Sequence, residues 1–116
     1  MTALTPGTPV DARAVALAHE PLPADEVRDG APTAAYAVLD ATDGTEIGVW
    51  EMTPGAASDT EEDEVFVVLS GRATIEFTEP ALPSVEVGPG SVMRLSAGMR
   101  TVWTVTETLR KVSLAV

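Results

Sequence analysis

The sequence predicts an all-β barrel or sandwich, because three features of the chain after residue 33 agree. Short runs rich in β-branched and aromatic residues recur at intervals of about 8–12 residues, as they do in small β-barrels. Gly, Pro and Asp residues that favour turns separate these runs. No amphipathic helix longer than two turns is visible. Eight strands are therefore expected, over residues 34–39, 45–52, 64–70, 72–78, 84–87, 91–95, 101–106 and 109–116.

Turn chemistry sets the limits of the first three strands. The apolar run 34–39 ends at the turn-forming segment 40–44, which contains two Asp residues and a Gly. The run 45–52 (TEIGVWEM) is closed by Pro54 and Gly55. The run 64–70 (EVFVVLS) is β-branched and aromatic, which favours a strand.

The remaining strands are separated by Gly and Pro. Gly71 is expected to allow a tight turn into 72–78 (RATIEFT), where apolar and polar residues alternate as in a half-buried strand. Two prolines bracket a loop over 80–83, before a short strand at 84–87. The Gly-Pro-Gly segment 88–90 makes the next turn, and the last three strands follow.

The first 33 residues differ in composition from the rest and are interpreted as an N-terminal arm preceding a barrel over 34–116. The arm contains prolines at positions 6, 9, 21, 23 and 32. Because Pro fixes φ and lacks an N–H, neither a long helix nor a central strand is expected there. A helical turn around 11–18, a short edge strand and a partly disordered terminus remain alternatives.

The strand at 64–70 is apolar on both faces and should be covered on both sides. In a small barrel only one face is internal, so a second sheet, the arm or another subunit must cover the other. We therefore expect a homodimer.

Composition excludes several classes of function. The chain has 18 acidic and 7 basic residues, a net charge of −11, no Cys and one His, His19. A disulfide scaffold, a Cys-based metal or thiol site, and a site with two or three His from one chain are excluded. The acidity argues against nucleic acid or an anionic membrane as partner. With neither a signal peptide nor a membrane span visible, the expected location is the bacterial cytoplasm.

The run from residue 48 to 112 resembles a small single-domain cupin, and two motifs carry the resemblance. Glu64 and Gly71 reproduce the Glu-to-Gly half of the first cupin motif at its spacing. Gly90 and Gly98 keep both glycines of the second motif, with Ser96 at the Pro position and Thr101 at the His position. The His pair of the first motif falls on Ser58 and Thr60, or on Ala57 and Asp59 if the spacer is one residue longer.

The segments GVWEMTPG, DEVFVVLSG, VGPGSVMRLSAG and TVWTVTETLRK are similar to one branch of the superfamily. This branch contains short cupins related to ethanolamine-utilisation proteins and to ureidoglycine aminohydrolase. The resemblance implies an all-β, cupin-type jelly-roll barrel. It does not imply one function, because this fold carries out many unrelated functions.

The resemblance also implies where a metal would bind, and the ligands are missing there. Cupin metal sites usually combine three imidazoles with one carboxylate, whereas this chain offers Glu64 and hydroxyls, which are poor ligands for transition metals. We therefore expect neither a transition-metal centre nor another cofactor. A weak Mg²⁺ or Ca²⁺ site with oxygen ligands remains an alternative, for which Asp59 or Asp63 would have to turn inward.

Strand parity indicates which side chains share the barrel lumen with Glu64. If Glu64 points inward, so does Phe66, and if Thr101 points inward, so does Trp103. The candidate ligand-binding residues are Tyr36, Trp50, Met52, Ser58, Thr60, Phe66, Met93, Arg100, Thr101 and Trp103. These residues fit a small-molecule pocket and a filled core equally well.

Glu64 is the candidate catalytic residue, because a desolvated carboxylate suits general acid–base work. Its structural alternative is a hydrogen bond to Thr101, Ser58 or backbone amides. The neighbouring acids Asp59, Glu61 and Glu62 are expected in a solvated loop. His19 lies outside both motifs and is given no catalytic role.

Three functions follow from these predictions. The leading hypothesis is a metal-free barrel that binds a small metabolite. The alternatives are a lyase-, isomerase- or aminohydrolase-like enzyme, in which Thr101, Ser58 and Arg100 orient the substrate, and a structural or interaction module with a filled barrel.

Overall fold

The computed structural model describes residues 3–115, and every regular element in that range is a β-strand. All strand pairs are antiparallel. The all-β prediction is thereby confirmed. The nine strands are β1 (Glu20–Pro21), β2 (Val27–Asp29), β3 (Thr33–Thr42), β4 (Thr45–Met52), β5 (Gly55–Thr60), β6 (Glu64–Glu79), β7 (Ala81–Val87), β8 (Val92–Leu95) and β9 (Arg100–Ala115).

The two long strands β6 and β9 form the spine of the fold. They pair with each other from Glu64 opposite Ala115 to Glu79 opposite Arg100. The first half of β6 also pairs with β8 and the second half with β7. In the same way β9 pairs with β5 and then with β4. One curled sheet thus folds back on itself around a shared interior, which confirms the predicted single-domain jelly roll.

Gly71 does not make a turn, and this prediction was wrong. Residues 64–70 and 72–78 belong to one strand, β6, in which the register shifts repeatedly between Val68 and Ala73. Such bulges bend a strand without reversing it. Gly71 has φ +90°, and a Cβ there would lie 2.0 Å from the carbonyl oxygen of Thr108. The glycine is therefore needed for the close approach of β9, whose two predicted halves also form one strand.

The strand β5 was not predicted either. Its sequence, GAASDT, contains one β-branched residue, Thr60, and no aromatic residue, so it has little strand preference. It forms because the backbones of β9 and β2 flank it on both sides. Strand β7 also begins at Ala81, earlier than the expected residue 84.

The N-terminal segment contributes β1, which pairs with β3, and β2, which pairs with β5. Arg110 fixes the part before β1, since its Nη1 donates to the carbonyl oxygens of Ala12, Arg13 and Val15 at 2.8–3.2 Å. Its Nε donates to Glu51 Oε2 at 2.7 Å. The arm therefore lies against the outer face of the sheet at β4 and β9.

His19 is a second attachment point of the arm. Its Nε2 lies 2.7 Å from Glu51 Oε1, and its Nδ1 lies 2.9 Å from Thr33 Oγ1. Burial acts to raise the pKa of Glu51, but the hydrogen bonds from Arg110 and His19 outweigh it and hold that pKa below its ordinary value. His19 thus has a structural role.

The interior is partly a packed core and partly a cavity. Phe66, Val68, Ile75 and Leu109 are fully buried and fill one part of it. A cavity of about 370 Å³ lies at the end where β6 begins. Within residues 3–115, no helix is long and apolar enough to cross a membrane.

Candidate functional site

The cavity has an apolar wall and a charged wall. The apolar wall comes mainly from Trp50 and Trp103, whose rings lie 5.8 Å apart, and from Met52. The N-terminal arm adds Leu22 to this apolar wall and Glu26 to the charged wall. The volume of the cavity falls in the range of small-molecule sites, about 300–1,000 Å³. The lining residues are Leu22, Glu26, Tyr36, Trp50, Met52, Ala57, Ser58, Asp59, Thr60, Glu61, Glu62, Glu64, Trp103, Lys111, Ser113 and Ala115.

Lys111, the only lysine of the chain, is buried at the inner end of this cavity. Its Nζ donates to Glu64 Oε1 at 3.2 Å, and the two side chains are 6% and 16% exposed. The same nitrogen lies 4.4–4.9 Å from the ring centroids of Phe66, Trp103 and Trp50. A cation over aromatic faces is attracted by their quadrupoles. Lys111 is therefore fixed by one carboxylate and three rings.

Strand parity places Lys111 in the cavity. Successive side chains of a strand point to opposite faces, so the neighbouring Arg110 and Lys111 diverge. Arg110 binds the arm on the outer face, and Lys111 enters the lumen. The adjacent basic residues of the TETLRK segment thus have two separate structural roles.

Glu61 is buried, with 4% exposure, so the expectation that it lies in a solvated loop was wrong. Its Oε2 accepts hydrogen bonds from Thr101 Oγ1 at 2.6 Å and from Trp103 Nε1 at 2.9 Å. Its backbone is tied to the turn after β8, since Glu61 N donates to Met99 O and Gly98 N donates to Glu61 O. Glu62 is exposed, as expected.

Asp59 lies at the cavity mouth, opposite Thr101 in the register and hence on the lumen face of β5. Its side chain remains in contact with solvent. Partial burial, together with the nearby negative charge of Glu61, raises the pKa of Asp59 to about 6. This carboxyl can therefore exchange a proton near neutral pH.

Tyr36 forms the rim of the cavity and rests on a glycine. Its ring occupies the place where a Cβ of Gly48 would lie, so only glycine leaves room for it. The hydroxyl donates to Glu46 Oε2 at 2.6 Å. Burial and this hydrogen bond raise the pKa of Tyr36 to about 12, which keeps the phenol protonated.

Most of the predicted lumen residues line the cavity. Tyr36, Trp50, Met52, Ser58, Thr60, Trp103 and Glu64 are in the lining. Phe66 is fully buried next to Lys111, and Thr101 is buried beside Glu61.

Two predicted lumen residues lie elsewhere. Arg100 lines a neighbouring depression that includes Arg28 and shares Glu26, Ser58, Asp59 and Thr60 with the cavity lining. Met93 packs against the core and is not part of the lining.

Sequence reasoning missed Lys111, Glu61 as a cavity residue, and the contribution of the arm. A signal for Lys111 was present, because it lies on an apolar strand at an inward position two residues after Leu109. No comparable signal marked Glu61, which lies between strands.

The cavity does not fit the metal that a cupin barrel would hold. Glu64 is engaged by Lys111, and the Thr101 hydroxyl donates its proton to Glu61. Within residues 3–115, no group of three His, Cys, Asp or Glu side chains is arranged to hold a metal ion. The motif positions carry hydroxyls in place of imidazoles, and the carboxylate of the motif, Glu64, forms an ion pair with Lys111.

Fold and cavity together define a cupin barrel. The family can be stated more narrowly, because the EutQ-like cupin domain matches residues 39–112, more than half of the chain. The chain belongs to the EutQ-like cupin domain family. No curated protein matches it significantly.

Solved structures support the same fold. The EutQ protein of Clostridium difficile superposes with a TM-score of 0.62 at 17% identity, covering 72% of this chain and 68% of that one. A putative ethanolamine utilization protein from Salmonella typhimurium gives 0.60 at 16% identity, covering 71% and 68%. A protein of unknown function from Pseudomonas syringae gives 0.73 at 23% identity and covers 90% of this chain, but this chain spans only 46% of that protein. At these identities the likeness shows the fold alone.

Proposed function

We propose that the barrel cavity binds a small metabolite without a transition-metal centre. The observation that carries this proposal is the Lys111–Glu64 ion pair beside an open cavity of about 370 Å³. The lysine supplies a fixed positive charge next to the carboxylate that a metal would otherwise engage. The remaining space, walled by Trp50 and Trp103, is large enough for a small organic molecule.

The cavity also supports this proposal over a purely structural barrel. A filled barrel would pack side chains between Trp50, Trp103 and Lys111, whereas these residues line a space that is open to solvent. The polar groups of the lining converge on this space, with the Lys111 ammonium at its inner end and carboxylates at its mouth.

A screen of small metabolites against the purified protein tests the proposal. Trp50 and Trp103 are the only tryptophans and both line the cavity, so intrinsic fluorescence reports directly on its occupancy. Metal analysis of the same sample should find no stoichiometric Mn, Fe, Ni or Zn. Stoichiometric metal that is lost on Glu64→Ala would contradict the metal-free part of the proposal.

An acid–base enzyme is the second candidate, and Asp59 rather than Glu64 favours it. Glu64 is held in the ion pair with Lys111, whereas Asp59 is accessible at the mouth with a pKa raised to about 6. A group that titrates there suits proton transfer near neutral pH. Turnover of a metabolite that is lost on Asp59→Asn and kept on Glu64→Gln would favour this candidate over simple binding.

A further inference from the structure

The charges around the cavity are unbalanced. Five carboxylates line it, from Glu26, Asp59, Glu61, Glu62 and Glu64, against the single ammonium of Lys111. That ammonium forms an ion pair with Glu64. Among the described residues, no Lys, Arg or His nitrogen lies within ion-pair distance of Glu61 or Asp59.

Glu61 is the unusual member of this set. A buried carboxylate is costly unless a cation or several hydrogen bonds compensate it. Both hydrogen bonds to its side chain go to Oε2, and none from the described residues goes to Oε1. Trp103 and Thr101 thus hold the carboxylate in one orientation and leave an oxygen available in the cavity lining.

We propose that the ligand of this cavity carries an organic ammonium group, which binds between Glu61 and Asp59 and packs its apolar part against the tryptophans. The inference rests on the proposed binding function and specifies its ligand class. The free oxygen of Glu61 and the carboxylate of Asp59 accept hydrogen bonds from the ammonium, and charge-assisted hydrogen bonds of this kind are the strong ones. The faces of Trp50 and Trp103 attract alkyl groups and cations alike.

The arginines of the neighbouring depression do not neutralise this pair of carboxylates. Arg28 and Arg100 line a neighbouring depression that also includes Asp59 and Thr101. In the part of the chain that the structure describes, however, neither guanidinium lies within ion-pair distance of Asp59 or Glu61. Arg100 lies opposite Thr60 in the β5–β9 register, so it points to the outer face, whereas Asp59 and Thr101 share the inner one.

Three probes of equal chain length and different charge test the inference: n-butylammonium, 1-butanol and butyrate. Each is titrated at pH 7.5 and constant ionic strength, with tryptophan fluorescence and the two indole N–H resonances as readouts. Since a hydrogen bond to a charged group contributes about 1.5–3 kcal/mol, butylammonium should bind at least about tenfold more tightly than butanol. Butyrate should bind most weakly. The Trp103 indole resonance should shift most, because its N–H donates to Glu61.

Glu61→Gln is the critical variant, because an amide oxygen can still accept from Thr101 and Trp103. It should bind butylammonium about tenfold more weakly than the parent and leave butanol binding unchanged. Glu76→Gln is the matched control, since it removes one charge from an exposed residue on the outer face of β6. It should alter butylammonium binding by less than about twofold, as expected for a screened surface charge.

The outcomes separate the inference from the function on which it rests. Equal binding of all three probes, or tighter binding of butyrate, would overturn the ammonium inference and leave a metabolite-binding cavity. If none of the three perturbs either indole, the inference and the proposed binding function both fail. An effect of Glu76→Gln as large as that of Glu61→Gln would show only general attraction to an acidic protein and would also overturn the inference.

Discussion

Replacement of Lys111 by Met should destabilise the protein strongly, although it keeps most of the side-chain volume. The change removes the ammonium and leaves the Glu64 carboxylate, 16% exposed, without its partner at 3.2 Å. Removing one partner of a buried ion pair costs about 3–5 kcal/mol. Because Glu64 retains some solvent contact, we expect the lower end, about 3 kcal/mol.

The contacts of Lys111 with three rings do not change this magnitude much. Each cation–aromatic contact contributes about 0.5–2 kcal/mol, but the Met side chain regains favourable sulfur–aromatic contacts with the same rings. The unpaired carboxylate is therefore the dominant cost. Adding Glu64→Gln to the Lys111→Met variant should therefore restore at least half of the lost free energy of unfolding.

Urea unfolding measures these free energies, with the slope of each transition compared to confirm that the unfolding reaction is unchanged. Arg72→Met is the matched control, because Arg72 pairs with Glu107 at 3.7 Å and both side chains are 66% exposed. An exposed pair contributes about 0–1 kcal/mol. The reasoning is refuted if Lys111→Met costs no more than Arg72→Met, or if Glu64→Gln gives no rescue.

Three further predictions concern other parts of the chain. Asp59→Asn should stabilise the protein above pH 6, because the pKa of Asp59 is raised from 3.8 to about 6 and its charged form therefore opposes folding. Thermal unfolding should show that this gain in stability fades as the pH falls towards 3.8. An equal gain for Asp25→Asn, at an exposed position, would contradict the prediction. Gly71→Ala should lower the free energy of unfolding in urea by more than about 2 kcal/mol, since both backbone strain and a backbone clash oppose the alanine. Gly44→Ala, at a positive φ but in open space, should cost only about 1 kcal/mol. Equal costs would refute the clash at Gly71. We expect a homodimer in solution whose interface includes Val92, which is 67% exposed on the outer face. Light scattering should show that the Val92→Glu variant is a monomer. A monomeric parent protein would exclude the dimer.

The strands rich in β-branched residues could be predicted from the sequence, and those that depend on their neighbours could not. The strand 45–52 was predicted at its observed bounds, because TEIGVWEM has both the composition and the flanking turns. Strand β5 has a sequence with little strand preference and exists because β9 pairs along it. Gly71 gave the wrong signal for a similar reason, since a glycine needed for close approach looks locally like a glycine needed for a turn.

The candidate site shows the same division between local and distant information. The inward orientation of Trp103 and Phe66 follows from strand parity and could be predicted. The burial of Glu61 could not, because its partners are 40 and 42 positions away. The Lys111–Glu64 pair likewise joins residues 47 positions apart, and only the antiparallel pairing of β6 with β9 brings them together.

The departures from the cupin motifs and the acidity of the chain are connected through Lys111. A metal ion would neutralise Glu64 and could be exchanged or lost, whereas a lysine on the neighbouring strand neutralises it permanently. Once Glu64 is paired in this way, the other acidic side chains of the lining, Glu26, Asp59, Glu61 and Glu62, have no second lysine beside them in the cavity. An exchangeable divalent cation would attract anionic groups of a ligand, but a permanently paired lysine beside further carboxylates attracts cationic ones. The ammonium ligand that we propose is thus opposite in charge to the ligand that a metal ion in the same barrel would attract.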